Sequence, residues 1–531
     1  MNIYLAGIFL GLLFYLAIGL WAGRRVKSLD DYYVSGRNAT TLFIAGTMFA
    51  SMLSTNGFMG DTAYAYSGNI TTLFIINTLC ACGYVIGPLY FGRYIRRAQV
   101  NTMPSYFRLR FNSRRIQILS GLIVTVSLGA YLLSVLQATG ILMQSLTGLD
   151  RLSCLLISFA AILLFTLYSG SKGVILIDTA MCVCFLLSTI FVGYYVFENA
   201  GGLASLVERL TLNPNAPKDL LSYHGNTGEQ SPFTTIIYGV TLGIVWLITV
   251  AVSPWQAGRN LIAKDEHTIF RSGIISAILT IYFLLFLYLI AIAMIEIYPN
   301  MPRPENVIIY AAYELAPKAL GAFLLTGILS AGLSSATTFL SVVSFSIADD
   351  VLGIKLDSEA AQLKLTRLII LAVSVAVLVM AYFELASIRI IAWFASTIIA
   401  ASWGYVAFAS VWSGRLNERA AFYSMIGGFA GYLGAKAATA AGLFSLPAWL
   451  DAFFVGLAIS VVLGVAFSGK QSKSERAFLK ALHELPKSEQ KGSEYRQDIR
   501  YGYAFIAAGV MIMLFLIIHW AIPYNKTLGR F

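Results

Sequence analysis

Residues 43–68 read FIAGTMFASMLSTNGFMGDTAYAYSG, and the middle of this stretch decides how the rest of the chain is read. Its length and overall apolarity suit a membrane crossing. Yet Ser51, Ser54, Thr55, Asn56 and Gly57 gather at the centre, where a continuous lipid-facing helix would place Leu or Val. In hydrocarbon the backbone N–H and C=O groups have no water to bond, so an interrupted helix at that depth is tolerated only against protein, water or an ion. Interruptions of this kind mark binding sites in membrane proteins. A packing face, with Ser and Thr hydroxyls bonded to carbonyls one turn earlier, is the alternative. The reading adopted here is a helix that breaks between Ser51 and Gly57.

The surrounding chain supports a membrane setting. It has 531 residues, of which 58% are hydrophobic and 12% charged, with a mean hydropathy of +0.74; soluble domains carry about 25% charged residues. Stretches long enough to cross a hydrocarbon core of about 30 Å recur throughout, so residues 1–531 read as one all-α membrane domain with about fourteen transmembrane helices. The spans are placed near 3–23, 41–67, 71–92, 116–146, 152–168, 173–197, 234–256, 272–297, 319–347, 366–384, 388–413, 420–439, 445–468 and 501–522. The first lacks a basic leader and a small-residue cleavage site and is kept as a helix. The net charge of +11 does not point to nucleic acid, because the Lys and Arg residues sit in short connections rather than on one face. With the amino terminus outside, 28 of the 37 basic residues fall on the cytoplasmic side, which predicts a multi-pass inner-membrane protein with both termini extracytoplasmic. Residues 198–233 form the longest outer connection and 469–500 a cytoplasmic connector. The five Cys lie in apolar segments and read as small hydrophobes.

Two further spans carry polar groups that lipid would penalise. In residues 321–350, Ser330, Ser334, Thr337, Thr338, Ser341 and Ser344 recur at three and four residues and so share one helix face. That face suits either hydrogen bonding between helices or, with backbone carbonyls, a hard monovalent cation. Asp178 lies about 7.5 Å beyond the start of its span, where a charge costs several kcal/mol unless compensated. Protonation, a base on another helix or a bound cation would each relieve that cost, and the reading favours the cation. Asp61, one turn past the break, is placed toward the outer vestibule. No nucleophile elbow, His cluster or paired intramembrane carboxylates argue for an enzyme.

Six segments, in this order, carry a resemblance: DDYYVSGR (30–37), the broken span, TMPSYFRLRF (102–111), LYSGSKGVILIDT (167–179), SPWQAGRNLIAKDE (253–266) and GILSAGLSSATTFLS (327–341). Over nearly its whole length the chain resembles the sodium:solute symporters. The resemblance implies a leucine-transporter-type core of two inverted five-helix repeats, here 41–197 and 234–413. An odd number of helices per repeat turns the second copy upside down. It further implies a shared sodium site built from Ala50, Leu53, Ala331, Ser334 and Ser335, and a second sodium at Asp178, Ser334, Thr337 and Thr338. Ser54, Thr55, Asn56, Gly57, Gln137 and Trp246 are the implied solute-binding residues. Where the family's sugar carriers hold acidic or amide residues, this chain has Asn56, Gly57 and Ile76, and Met52 stands at the proline carriers' Asp. A small amino acid, carboxylate or similar solute is therefore expected, imported with one or two sodium ions by alternating access. The implied partners are the solute, sodium and the lipid bilayer, and a monomer is compatible with the sequence. A non-transporting sensor and a proton-coupled carrier on the same fold are the alternatives.

Overall fold

The computed structural model describes the chain except residues 1–2, 25–27, 218–219, 221–231, 355, 357, 384–387, 448–449, 487–488, 490–491, 523–525 and 527–531; of residues 29–30, 56, 168–170, 232–236, 389, 516 and 520–521 it describes the backbone alone. Much of the long outer connection and the Asn56 side chain lie outside this description.

Among the described residues the regular elements are all helices, with one isolated parallel bridge between Ala39 and Ala263. Among them, ten helices are long and apolar enough to cross a membrane, and Thr41–Met52, Arg151–Leu167 and Ala452–Ala466 are shorter apolar helices. Their lipid-facing surfaces expose large apolar side chains such as Phe9, Leu10, Phe191 and Phe515, as expected when the solvent is hydrocarbon rather than water.

Several boundaries differ from expectation. The sequence places a connection between spans near 168–173, whereas helical backbone runs from Arg151 to Asn199 without interruption; no Pro forces a stop there, so each amide retains its helical acceptor. The span expected over 445–468 is a helix only from Ala452, where the Asp451 side chain caps the Phe453 N–H. The last helix begins at Ser493, eight residues early, because Tyr495 and Asp498 anchor its first turns to Glu266, His267 and Arg271. The connector before it carries a short helix, Lys473–His483, opened by a capping box of Ser472 and Glu475.

The decisive stretch does break. The helix Thr41–Met52 ends at Leu53 (φ −80°, ψ 25°), and wide π-type turns occupy Asn56–Asp61. Gly68, at φ +102°, turns the chain into the helix Ile70–Gly87, a conformation an L side chain would strain. A second interruption follows Pro232–Val252: residues 253–256 are irregular and Ala257–Ile262 form a 3₁₀ turn before Glu266–Ile297 begins. The two breaks face one another, since Gln256 Nε2 donates to the Met48 carbonyl at 3.0 Å. Ala39 N–H donates to Ile262 O (3.1 Å) and Lys264 N–H to Ala39 O (3.0 Å), which ties the chain segments beside them.

Candidate functional site

The helix Lys318–Phe345 packs along the first break, and its small residues make the approach possible. A Cβ on Gly332 would stand 2.6 Å from Thr55 Cγ2 and 2.9 Å from Thr139 Oγ1, so only glycine admits the chain beyond the break this closely. One turn on, the Ser335 hydroxyl donates to Ser51 O at 3.1 Å and lies at the same distance from Ala331 O. The hydroxyl face read from the sequence and the polar centre of the second span therefore meet, with Ala50, Leu53, Ala331, Ser334 and Ser335 all buried. Ser334 Oγ has no hydrogen-bond partner in the structure. A buried hydroxyl left in that state costs free energy, which a ligand at the oxygen would recover.

Asp178 is fully buried beside this region. Thr47 donates to its Oδ2 at 2.5 Å, and the Arg259 guanidinium lies 3.5 Å from the same oxygen. Arg259 Nη2 also donates to Thr338 Oγ1 at 2.5 Å, so one guanidinium spans two of the residues assigned to the second sodium. Of the three ways to compensate Asp178, the structure shows a base from another element, where the sequence reading preferred a bound cation. Nothing in the helix of Asp178 signals this, because Arg259 arrives on the 3₁₀ turn after the second break. Thr337, by contrast, donates to Ser334 O of its own helix, and Asp178 Oδ1 has no hydrogen-bond partner.

A small cavity of about 40 Å³, partly open to solvent, lies against the break, lined by Met52 and Gly57. Tyr131, Trp246, Tyr288 and Trp393 wall it, and Gly57, Asp61 and Asn77 reach it from the broken span and the helix that follows. Of the solute-binding residues expected, Gly57 and Trp246 line this cavity. Ser54, Thr55 and Gln137 are instead buried and do not line it. Asn77, Tyr288 and Trp393 were missed: Asn77 follows directly on Ile76, the position read as apolar, and an amide within the apolar run FIINTL is the signal that could have found it.

Three packed aromatic rings connect the wall of this cavity with that of a second one, Tyr131 lining the first and Trp255 the second. Tyr131 stacks on Phe339 with centroids 4.5 Å apart, and Trp255 meets both edge-on at 6.0 and 5.7 Å. All three are buried. Beyond them the second cavity is lined by Trp255, Arg259, Thr338 and Ser341. A broader recess shares Trp393 with the first cavity. There Asp451 accepts from Lys436 Nζ at 3.1 Å and from Trp393 Nε1 at 3.3 Å.

Known proteins place this architecture. The chain is 24% identical over 469 residues to the osmoregulated proline transporter OpuE of Bacillus subtilis, covering 84% of this chain and 92% of that one. It is also 24% identical to mouse solute carrier family 5 member 4B over 269 residues, a match that spans only 41% of that protein's length and 46% of this one's. A solved structure of a Na⁺-coupled sialic acid symporter, in a substrate-bound outward-open state, superposes with a TM-score of 0.76 at 18% identity, covering 89% of this chain and 99% of that chain. Its likeness establishes the fold as that of Na⁺-coupled symporters. The model of the sodium:solute symporter family matches residues 32–428, and the chain belongs to that family of transporters.

Proposed function

We propose that this protein imports a small organic solute together with sodium, by alternating access across the inner membrane. Its architecture in this reading is about fourteen crossings with a five-plus-five inverted-repeat core over 41–197 and 234–413, a cytoplasmic connector over 469–500 and both termini outside. The observation that carries the reading is the Ser335 hydroxyl at 3.1 Å from Ser51 O, where a helix face of hydroxyls meets a helix break at membrane depth. Sodium sits in the shared site of Ala50, Leu53, Ala331, Ser334 and Ser335, whose oxygens are hard ligands suited to an alkali ion. Sodium and solute each stabilise the same arrangement and so raise one another's affinity.

The second ion site is already served by a cation of the protein's own. With the Arg259 guanidinium 3.5 Å from Asp178 and bonded to Thr338, sodium reaches Asp178, Ser334, Thr337 and Thr338 only when Arg259 withdraws. One sodium therefore accompanies the conformation described here. At −100 mV each ion entering supplies about 2.3 kcal/mol, so the stoichiometry sets the gradient the carrier sustains.

The test is uptake of radiolabelled proline and a panel of amino acids and carboxylates into proteoliposomes, with sodium replaced by potassium in one arm and a pH gradient imposed in another. Sodium-dependent, electrogenic accumulation is expected. Accumulation unchanged in potassium, or driven by the pH gradient alone, would overturn sodium coupling.

A further inference from the structure

A buried carboxylate outside the ion-binding region ties together the walls of the second cavity. Asp350 is fully buried and sits in the wide π-type turns Ser346–Leu352 that follow the helix Lys318–Phe345. Thr102 Oγ1 (2.8 Å), Ser105 Oγ (3.0 Å) and Gln117 Nε2 (2.8 Å) donate to its Oδ1, and Ser346 Oγ (3.1 Å) donates to its Oδ2. All four partners are neutral. Arg114 Nη1 donates to Gln117 Oε1 at 2.6 Å, so its charge polarises the amide that bonds the carboxylate. A Cβ on Gly121 would stand 3.0 Å from Asp350 Cβ, and glycine there lets the helix Arg114–Thr147 come this close. A buried anion is costly unless hydrogen-bonded. These donors therefore hold the turn, that helix and the connection before the helix Met103–Phe111 together.

The same bonds enclose the second cavity, of about 60 Å³, because Thr102 and Ser346 line it together with Tyr33, Asn101 and Phe345. The neighbouring Asp349 accepts from Tyr33 OH at 3.4 Å, and the Tyr33 ring stacks on Phe345 with centroids 4.1 Å apart. Arg37 in turn donates to Val100 O (3.0 Å) and Asn101 Oδ1 (2.8 Å). The contacts form a closed circuit, from Asp350 to Thr102, along the chain to Asn101, across to Arg37, back to Tyr33 and through Asp349 to Asp350. Adjacent carboxylates on one turn thus grip two separate chain segments of the cavity wall. Hydroxyl and amide donors exchange protein for water at a small net cost, so a wall held by them parts reversibly. Arg259 and Thr338, which are bonded to each other beside Asp178, line the same cavity, so it runs from the ion-binding residues to this circuit.

Resting on the carrier reading above, we infer that Asp350 is a positioning residue of the transport cycle: it latches Thr102 and Ser105 to the end of the helix Lys318–Phe345 while the second cavity is closed, and releases them when that cavity opens. With the amino terminus outside, the first helix delivers the segment of Tyr33 and Arg37 to the cytoplasmic side, so the second cavity is the route of release. The carboxylate acts on neither solute nor sodium directly. It sets which of the two arrangements is populated.

The experiment measures, in the purified full chain, the rate at which a maleimide modifies a thiol introduced by Ser341→Cys in the second cavity or by Ile76→Cys in the first, each above the background of the native cysteines. Asp350→Asn puts an amide nitrogen, a donor, where the carboxylate accepted. In potassium it is expected to raise the rate at position 341 at least about tenfold and to lower the rate at position 76, because alternating access opens one cavity as it closes the other. Ser105→Ala combined with Ser346→Ala keeps the carboxylate and removes two of its donors. It is expected to move both rates in the same directions by a smaller factor, and it decides the matter if Asp350→Asn does not fold. General loosening of the fold would raise both rates together; that outcome, or wild-type rates at both positions, would overturn the inference. Sodium added to chains with Asp350 intact reads the carrier separately, since alternating access requires it to shift the two rates in opposite directions. No sodium response there counts against the carrier reading, whereas a sodium response with unchanged rates in the Asp350→Asn chains counts against the latch.

Discussion

The pairing of Asp178 with Arg259 predicts an unusual pattern of stability. Both side chains are buried, at 0% and 9% side-chain exposure, and their nearest atoms are 3.5 Å apart. At an effective dielectric of about 20 the Coulomb attraction at that separation is about 5 kcal/mol, which offsets a desolvation cost of several kcal/mol for each ion. Asp178→Asn leaves the guanidinium buried with Thr338 as its remaining partner, and Arg259→Gln leaves the carboxylate with Thr47. Each single change is expected to cost about 3–5 kcal/mol, whereas the double variant, with no buried charge left to compensate, recovers most of that loss. Thermal unfolding of the four proteins in potassium forms the double-mutant cycle, and two single losses that simply add in the double variant would refute direct pairing. Repeating the cycle in sodium separates a further point. If sodium takes the place of the guanidinium, Arg259→Gln binds sodium more tightly and with a steeper concentration dependence than wild type, while Asp178→Asn loses that component. A sodium response of Arg259→Gln indistinguishable from wild type would remove the exchange.

Other perturbations test neighbouring parts of the same reasoning. Ser335→Ala removes an oxygen that stands 3.1 Å from both Ser51 O and Ala331 O; the loss of about 1–1.5 kcal/mol is expected to raise the sodium midpoint of thermal stabilisation by about tenfold, and an unchanged midpoint would exclude Ser335 as a ligand. Gly332→Ala places a Cβ 2.6 Å from Thr55 Cγ2, so overpacking is expected to lower stability by about 1–3 kcal/mol and to weaken sodium together with it, both read by melting temperature. Near the start of the helix Glu266–Ile297, Arg97 pairs with Glu266 at 2.5 and 2.9 Å, with side-chain exposures of 7% and 1%. Glu266 also accepts from Tyr495 OH at 2.7 Å. Glu266→Gln is therefore expected to destabilise the protein by about 3–5 kcal/mol, read by melting temperature; a wild-type melting temperature would show that the last helix docks independently of this pair.

Much of this molecule is written locally. Apolar length and the scarcity of charge dictate a helical membrane protein, because hydrocarbon leaves the backbone no other partner than itself. The break at Leu53 follows from Ser, Thr, Asn and Gly packed into one short run, and the hydroxyl face of residues 330–344 from three- and four-residue spacing on a helix, so both were legible from sequence alone. So was the need of Asp178 for compensation. What compensates it was not, since the helix period orients a side chain without saying which distant element it will meet. Only tertiary packing brings Arg259 from the turn after the second break onto Asp178 and Thr338. Only packing assembles Asp61, Asn77 and four aromatic rings from separate helices around one cavity, and buries Ser54 and Thr55 away from it. The sequence determines which groups hydrocarbon will not tolerate alone, whereas the fold decides their partners, because contacts between helices far apart in the chain depend on how every intervening helix packs.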